Sequence, residues 1–307
     1  MDTVLSFLPK TIIEQLHLIP PLQKLEIEEI RIRIKRPIEL TLGGKSIFLP
    51  YTVKPEDGLH LLNKISHHSI YALEEELRRG YITIDGGHRV GLAGKVILEA
   101  GKVKAIRDIS SFNIRIAKEK IGIADALVPL LYDQQWQNTI IIGPPQTGKT
   151  TLLRDIARIA STGIPVQSIS AKKVGIVDER SEIAGCVNGI PQLTFGPRID
   201  VLDACPKAEG MMMMIRSMSP EVLIVDEIGR MEDSEAILEA VNAGIKLMMT
   251  THGDSLEEIQ NRPSLQMILN QGIFQRFIEL SRQKGPGTIT KIKDSFGKEI
   301  KSKVRVT

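Results

Sequence analysis

At 307 residues and 34.1 kDa the chain has room for two domains of ordinary size. Its 42% hydrophobic and 25% charged residues, with 25 Gly and 16 Pro, exclude a largely disordered or fibrous protein. A balance of 40 Lys and Arg against 37 Asp and Glu leaves a net charge of +3, which excludes a uniformly basic nucleic-acid binder and makes any basic patch a local one.

The chain opens on Met1-Asp2-Thr3 and reaches Pro9 and Lys10 without the basic and apolar regions of a signal peptide. No apolar run approaches about 18 residues, so no membrane insertion is expected, and work at a membrane would need a partner to hold the chain there. Apolar residues recur at helical spacing from Pro9 to Leu18 and from His60 to Arg79, whereas Glu29 to Ile34 alternates as a half-buried strand does. Gly43-Gly44 between two apolar stretches predicts a hairpin, and Tyr81-Ile82-Thr83-Ile84 before Asp85-Gly86-Gly87 repeats the pattern. Residues 1–116 read as an α+β N-terminal domain. Residues 117–131, with the charged run Lys118-Glu119-Lys120 and Gly122, read as a linker. Over 132–307 short apolar runs alternate with helical segments, the pattern of a parallel sheet with crossover helices. The strands expected there are Asn138 to Ile142, Val174 to Val177, Glu221 to Val225 and Ile245 to Met249. Cys186 and Cys205 form no CxxC pair, which excludes a disulfide framework or zinc motif and favours a reducing, cytosolic setting.

Gly143-Pro144-Pro145-Gln146-Thr147-Gly148-Lys149-Thr150 fits G-x-x-x-x-G-K-[ST], after the apolar run Thr139 to Ile142 and before a helical stretch that begins at Thr151. Backbone N–H groups of such a loop, backed by the positive end of a helix, surround nucleotide phosphates. Lys149 would reach the β and γ oxygens of ATP and Thr150 would offer its hydroxyl to Mg²⁺. Gln146 stands where such loops commonly carry a further glycine, and a backbone with φ > 0 there would cost on the order of 1 kcal/mol. The run Glu221 to Val225 ends in Asp226-Glu227, the form of a Walker B segment, with Asp226 toward Mg²⁺ and Glu227 toward the attacking water. Val174 to Val177 ends in Asp178-Glu179-Arg180, and Ile245 to Met249 ends in Thr250-Thr251-His252. Ligands of parallel sheets bind beyond the carboxyl ends of the strands, so these groups should converge on one crevice. Glu179 is then a second carboxylate able to activate water, and His252 is placed to report a γ-phosphate.

On these residues, and on the stretches Val174 to Gly185, Asp200 to Ala208 and Ile215 to Gly229, the chain resembles the stage III sporulation protein AA family of endospore-forming bacteria. These are ATPases similar to type II and type IV secretion ATPases. Gly80 to Ile84, Gly87 to Gly94 and Phe112 to Ile116 extend the resemblance into the first domain. The resemblance implies a RecA-like P-loop core, a homohexamer, and an N-terminal domain that covers the nucleotide. It also implies a task, energising a channel complex between mother cell and forespore, performed in the mother-cell cytoplasm and held at the membrane by a membrane protein of that complex. In secretion ATPases the segment around Glu179 is called the aspartate box and that around His252 the histidine box. Asp226-Glu227 departs from the Gly-Glu often found in secretion ATPases, and Phe195 to Asp200 departs from a Gly-x-Arg-Thr-Asp pattern at Arg198.

Hexameric ATPases need a cation that reaches the γ-phosphate from another domain or subunit, and Arg89, Arg107 and Arg115 are the first-domain candidates. For each of them a place on a solvated strand face is the plainer alternative. Arg31, Arg33, Lys35 and Arg36 form a basic cluster that suits a solvated edge, Met211 to Met214 suits a helix buried against the sheet, and His67-His68 and His88 lack partners at metal-ligand spacing. Two other functions share this core: a nucleic-acid translocase and a nucleotide-binding scaffold with little turnover. Aromatic residues make up only 4%, which gives single-strand stacking little support, while Gln146 motivates the scaffold.

Overall fold

The computed structural model describes residues 2–66 and 74–300, so His67-His68 and the middle of the helix expected from His60 to Arg79 lie outside the described residues. Backbone contacts divide the chain into two compact units, Met1–Lys118 and Glu119–Thr307.

The first unit runs α1 (Asp2–Phe7), α2 (Lys10–His17), α3 (Pro21–Glu26), β1 (Ile27–Arg33), β2 (Pro37–Leu42), β3 (Lys45–Thr52), α4 (Pro55–Ile65), α5 (Glu74–Arg79), β4 (Tyr81–Ile84), β5 (His88–Glu99) and β6 (Lys102–Arg115). Its six strands form one antiparallel sheet in the order β3-β2-β1-β6-β5-β4. Both expected hairpins are present, β2–β3 around Gly43-Gly44 and β4–β5 around Asp85-Gly86-Gly87. Period two explains the two faces of this sheet. Ile30, Ile32, Val90, Phe112 and Ile114 are buried, while Arg31 and Arg33 point to the other face, paired with Glu29 and Glu39 at 3.1 and 2.7 Å. His88 is buried, and its Nδ1 accepts the N–H of Ala117 at 2.9 Å, so it serves the fold.

The second unit runs α6 (Val128–Leu131), β7 (Tyr132–Asp133), β8 (Gln135–Trp136), β9 (Thr139–Ile142), α7 (Lys149–Thr162), β10 (Val174–Asp178), β11 (Ile199–Asp203), α8 (Lys207–Ser217), β12 (Val222–Val225), α9 (Met231–Asn242), β13 (Lys246–Thr251), α10 (Leu256–Gln260), α11 (Pro263–Asn270), β14 (Arg276–Ser281) and β15 (Thr288–Lys293). Its seven-stranded sheet has the order β11-β10-β12-β13-β9-β14-β15, parallel except for β15. Strands β9, β10 and β12 are buried on both faces, and their alternate residues enter two cores. Ile141, Ile176, Ile224 and Met248 pack with Leu152, Leu153 and Ile156 of α7, whereas Ile142, Val177, Val225 and Met249 pack with Met211 and Met214 of α8 and Ile237 of α9. The methionine run is therefore mostly a buried helix face, with Met213 alone of the four largely exposed, at 46%.

Two features differ from the sequence reading. Strands β11, β14 and β15 join the four expected ones, because they sit toward the sheet's flanks and mix polar with apolar residues. The stretch read as a linker is partly core: Ala124, Leu127, Val128 and Leu131 are buried with α7, and Asp155 Oδ2 accepts the N–H of Ala124 at 2.8 Å. Among the described residues no helix is long and apolar enough to cross a membrane.

Candidate active site

The loop from Gly143 to Gly148 joins β9 to α7, and Gly143 N–H donates to the carbonyl of Thr251 at 3.3 Å. Gly148, the residue before α7, has φ 90, and an added Cβ would stand 3.1 Å from Gly287 N, so both conformation and close approach favour glycine. No side chain caps the first turn of α7, which leaves its amides to an anion. Lys149 is buried; its ammonium donates to the carbonyls of Gly143 at 2.8 Å and Pro144 at 3.0 Å and meets His252 Nδ1 at 3.2 Å. Burial pushes its pKa down against the pull of Asp226 and Glu227. The loop thus carries the two features a phosphate requires, a desolvated cation and uncapped amides. Pro145 lies in this loop and Thr151 in the first turn of α7.

Gln146 adopts φ 63, the left-handed region that favours glycine, and its side-chain oxygen accepts from Arg282 Nη1 at 3.1 Å. The cost anticipated from the sequence therefore applies, at about 1 kcal/mol, partly offset by an exposed hydrogen bond. Gln146→Gly is expected to raise stability by about 0.5–1 kcal/mol, read as the shift in urea midpoint; a loss of similar size would show that the Arg282 contact outweighs the strain.

Thr150 Oγ1 donates to Asp226 Oδ2 at 2.6 Å, and the Thr250 hydroxyl donates to the other oxygen of Asp226. Burial raises the Asp226 carboxyl, a penalty that a bound cation would relieve. Among the described residues no group of three or more His, Cys, Asp and Glu could hold a metal. One carboxylate and one hydroxyl, both hard oxygen donors, nevertheless fit Mg²⁺, which takes its remaining ligands from water and substrate phosphates.

Glu227 has φ 55 and is held at the backbone by its N–H donating to Thr250 Oγ1 at 2.8 Å. A carboxylate carried on a left-handed residue at a strand end stores on the order of 1 kcal/mol of strain. Its Oε1 lies 3.0 Å from His252 Nε2 and its Oε2 lies 2.9 Å from Arg180 Nη1. Since Lys149 can only donate to His252 Nδ1, the imidazole proton falls on Nε2, directed at Glu227. Lys149, His252, Glu227 and Arg180 therefore form one continuous polar chain from the phosphate loop across the strand ends.

Glu179 is not part of that chain. It borders the same cleft as Asp226 and Glu227, but its carboxylate is ion-paired with Lys207. Asp178 is buried and accepts the N–H groups of Glu182, Ile183 and Ala184, each at 2.9 Å; burial still pushes its carboxyl up to about 6. Arg198 lies at the opposite edge of the sheet, donating to the carbonyl of Ala171 at 2.6 Å. In the first unit, Arg89 lies over the Tyr81 ring at 3.9 Å, Arg115 Nε is 3.5 Å from Glu29, and Arg107 sits on β6 opposite Lys95.

Sequence reasoning brought Thr250 to this edge without giving it a role, and it missed Lys207 and the 282–287 loop. Thr250 joins Asp226 to the backbone of Glu227, Lys207 engages Glu179, and the 282–287 loop reaches the phosphate loop through Arg282 and through Gly287 N–H donating to Thr147 O at 2.8 Å. Of the two that were missed, the loop had a local signal, the turn Gly285-Pro286-Gly287 preceded by Arg282 and Lys284.

The family described as sporulation stage III, protein AA, matches residues 4–300. The chain belongs to that family. It is 59% identical over 297 residues to stage III sporulation protein AA of Bacillus subtilis (strain 168), covering 97% of this chain and 96% of that protein. The uncharacterized protein ycf45 of Cyanidium caldarium is 33% identical over 160 residues, 52% of this chain and 45% of its own. Among solved structures, the ATPase DotB of Legionella pneumophila superposes with a TM-score of 0.60 at 18% identity, over 89% of this chain and 76% of that one. The pilus retraction motor PilT with bound ADP gives 0.59 at 17% identity, over 88% and 76%. This sporulation protein thus has the α/β fold of P-loop secretion and pilus ATPases, as its motifs led one to expect.

Proposed function

We propose that this chain is a Mg²⁺-dependent ATPase that assembles as a ring, a hexamer on its family resemblance, and energises a secretion-like channel complex between mother cell and forespore. The observation that carries the reading is the polar chain Lys149–His252–Glu227, which ties the phosphate loop to a carboxylate beside the Thr150–Asp226 pair. In this reading the loop amides and Lys149 hold the β and γ phosphate oxygens, and Mg²⁺ held by Thr150 and Asp226 would offset their charge. Glu227 orients a water in line with the γ-phosphate and takes its proton; each carboxylate oxygen keeps a lone-pair direction beyond its contacts to Arg180 and His252. His252, bonded to both Lys149 and Glu227, registers an occupied γ site at the base.

The proposed division is a nucleotide-covering domain at 1–116, a connection at 117–131 and the ATPase domain at 132–307. The first of these supplies Arg89, Arg107 or Arg115 to a nucleotide. Its location is the mother-cell cytoplasm, with a membrane protein of the channel complex as its anchor.

ATP hydrolysis measured against protein concentration, with light scattering on the same samples, tests the reading. Specific activity is expected to rise as the chain assembles. Equal turnover in monomer and oligomer would overturn the neighbour-completed site, ADP binding without turnover would identify a scaffold, and turnover dependent on single-stranded DNA or RNA would identify a translocase.

A further inference from the structure

Resting on the ATPase reading, we propose that Arg180 is the positioning residue of Glu227: its guanidinium and the His252 imidazole hold one carboxylate oxygen each and fix the plane of the base. Glu227 needs such a hold. Its backbone is pinned through Thr250, but its side chain rises from a left-handed residue at the end of β12. Arg180 Nη1 at 2.9 Å from Oε2 and His252 Nε2 at 3.0 Å from Oε1 oppose rotation of the carboxylate from both sides.

The turn that carries Arg180 is built to be rigid. Asp178 gathers the N–H groups of residues 182, 183 and 184 on one buried carboxylate. Ser181, at φ 53, donates its hydroxyl to Asp203 Oδ1 at 2.6 Å, tying the turn to the neighbouring strand β11. Arg180 is thus presented from a closed loop, while its side chain remains 60% exposed. An ion pair so exposed contributes little to stability, so its consequence lies in geometry. Adjacent residues reach different partners: Glu179 is ion-paired with Lys207 and Arg180 with Glu227.

The test compares kcat and KM for ATP in the full-length wild type, Arg180→Ala, Arg180→Lys, Glu227→Gln and the double variant Arg180→Ala/Glu227→Gln, with fluorescent ADP binding and thermal melting on each. Misplacing a reacting group by about 1 Å costs on the order of 10²-fold, and a kcat loss of that order is expected for Arg180→Ala, with KM, ADP affinity and melting temperature unchanged. Arg180→Lys, which keeps the charge but not the planar fork, should recover kcat to within about tenfold of wild type. In the Glu227→Gln background the alanine change should cost nothing further, because Arg180 acts through that carboxylate. Unchanged kcat in Arg180→Ala overturns the proposal. So does a parallel loss of ADP affinity, or a loss that persists beside Glu227→Gln, either of which would put the guanidinium on the nucleotide itself. A wild type that binds ADP without hydrolysing ATP overturns the ATPase reading and the proposal with it, and is told apart by the first measurement.

Discussion

Glu227→Gln is expected to lower kcat for ATP hydrolysis by about 10²–10⁴-fold, the usual contribution of a positioned general base, with ADP affinity unchanged. Glutamine keeps the size of the side chain, its left-handed backbone and the N–H bond to Thr250. Its oxygen can still accept from His252 or Arg180. Only the proton-accepting charge is lost, so a defect confined to turnover assigns the chemistry to that carboxylate. Lys149→Ala provides the contrast: its ammonium is the desolvated cation of the loop, and its removal should weaken nucleotide binding along with turnover. Turnover that survives Glu227→Gln would move the role to Glu179. That outcome would require Glu179 to leave Lys207 when nucleotide binds.

How far this site was legible in advance follows from where its signals sit. Strands β9, β10, β12 and β13 lie at the centre of the sheet, are apolar on both faces, and end in polar residues at the same edge. Strand ends adjacent in a parallel register bring Lys149, Arg180, Glu227 and His252 within hydrogen-bond reach without sequence proximity. The pairings themselves were not legible. Nothing local distinguishes Glu179, which turns to Lys207 on α8, from Arg180, which turns to Glu227 after β12; both leave the turn that Asp178 closes. Strand β11 escaped notice because its Asp200 and Asp203 interrupt the apolar pattern at the sheet's edge. Leu127 and Leu131, in the 117–131 stretch, are buried against α7, a contact that no period of their own signals. Gln146 was legible in both senses, as a departure from glycine and as a position whose left-handed backbone makes that departure costly.

Lys293→Met is expected to destabilise the second unit by about 3–5 kcal/mol, because it leaves a buried carboxylate without its partner. The Lys293 side chain is 4% exposed, and its ammonium lies 2.8 Å from Glu279 Oε1, also 4% exposed, and 2.6 Å from Glu257 Oε1. Glu279 sits on β14 in register with Ile142 at the end of β9, and the same oxygen accepts the N–H of Leu256 at the start of α10. One buried charge pair therefore joins the antiparallel edge strand β15, its neighbour β14 and a helix start. Methionine preserves the apolar stem but not the charge, and the single Leu256 N–H cannot repay the desolvation of the carboxylate. Lys293→Met/Glu279→Gln should recover most of the loss, since a neutral amide can keep the bond to Leu256 and no longer needs a cation. Trp136, the only tryptophan, is buried in the same core as Ile292, so its emission in urea reports the unfolding of this unit. The pH dependence carries a second signature. Lys293 holds the exposed Glu257 carboxyl down to about 2 from an ordinary 4.5, so the stabilisation is present above pH 4.5 and is lost as pH falls toward 2. Its size is limited by solvent screening. Lys293→Met should abolish that slope as well as lower the plateau, and a variant that loses less than about 1 kcal/mol at pH 7 would show that the pair merely offsets its own desolvation.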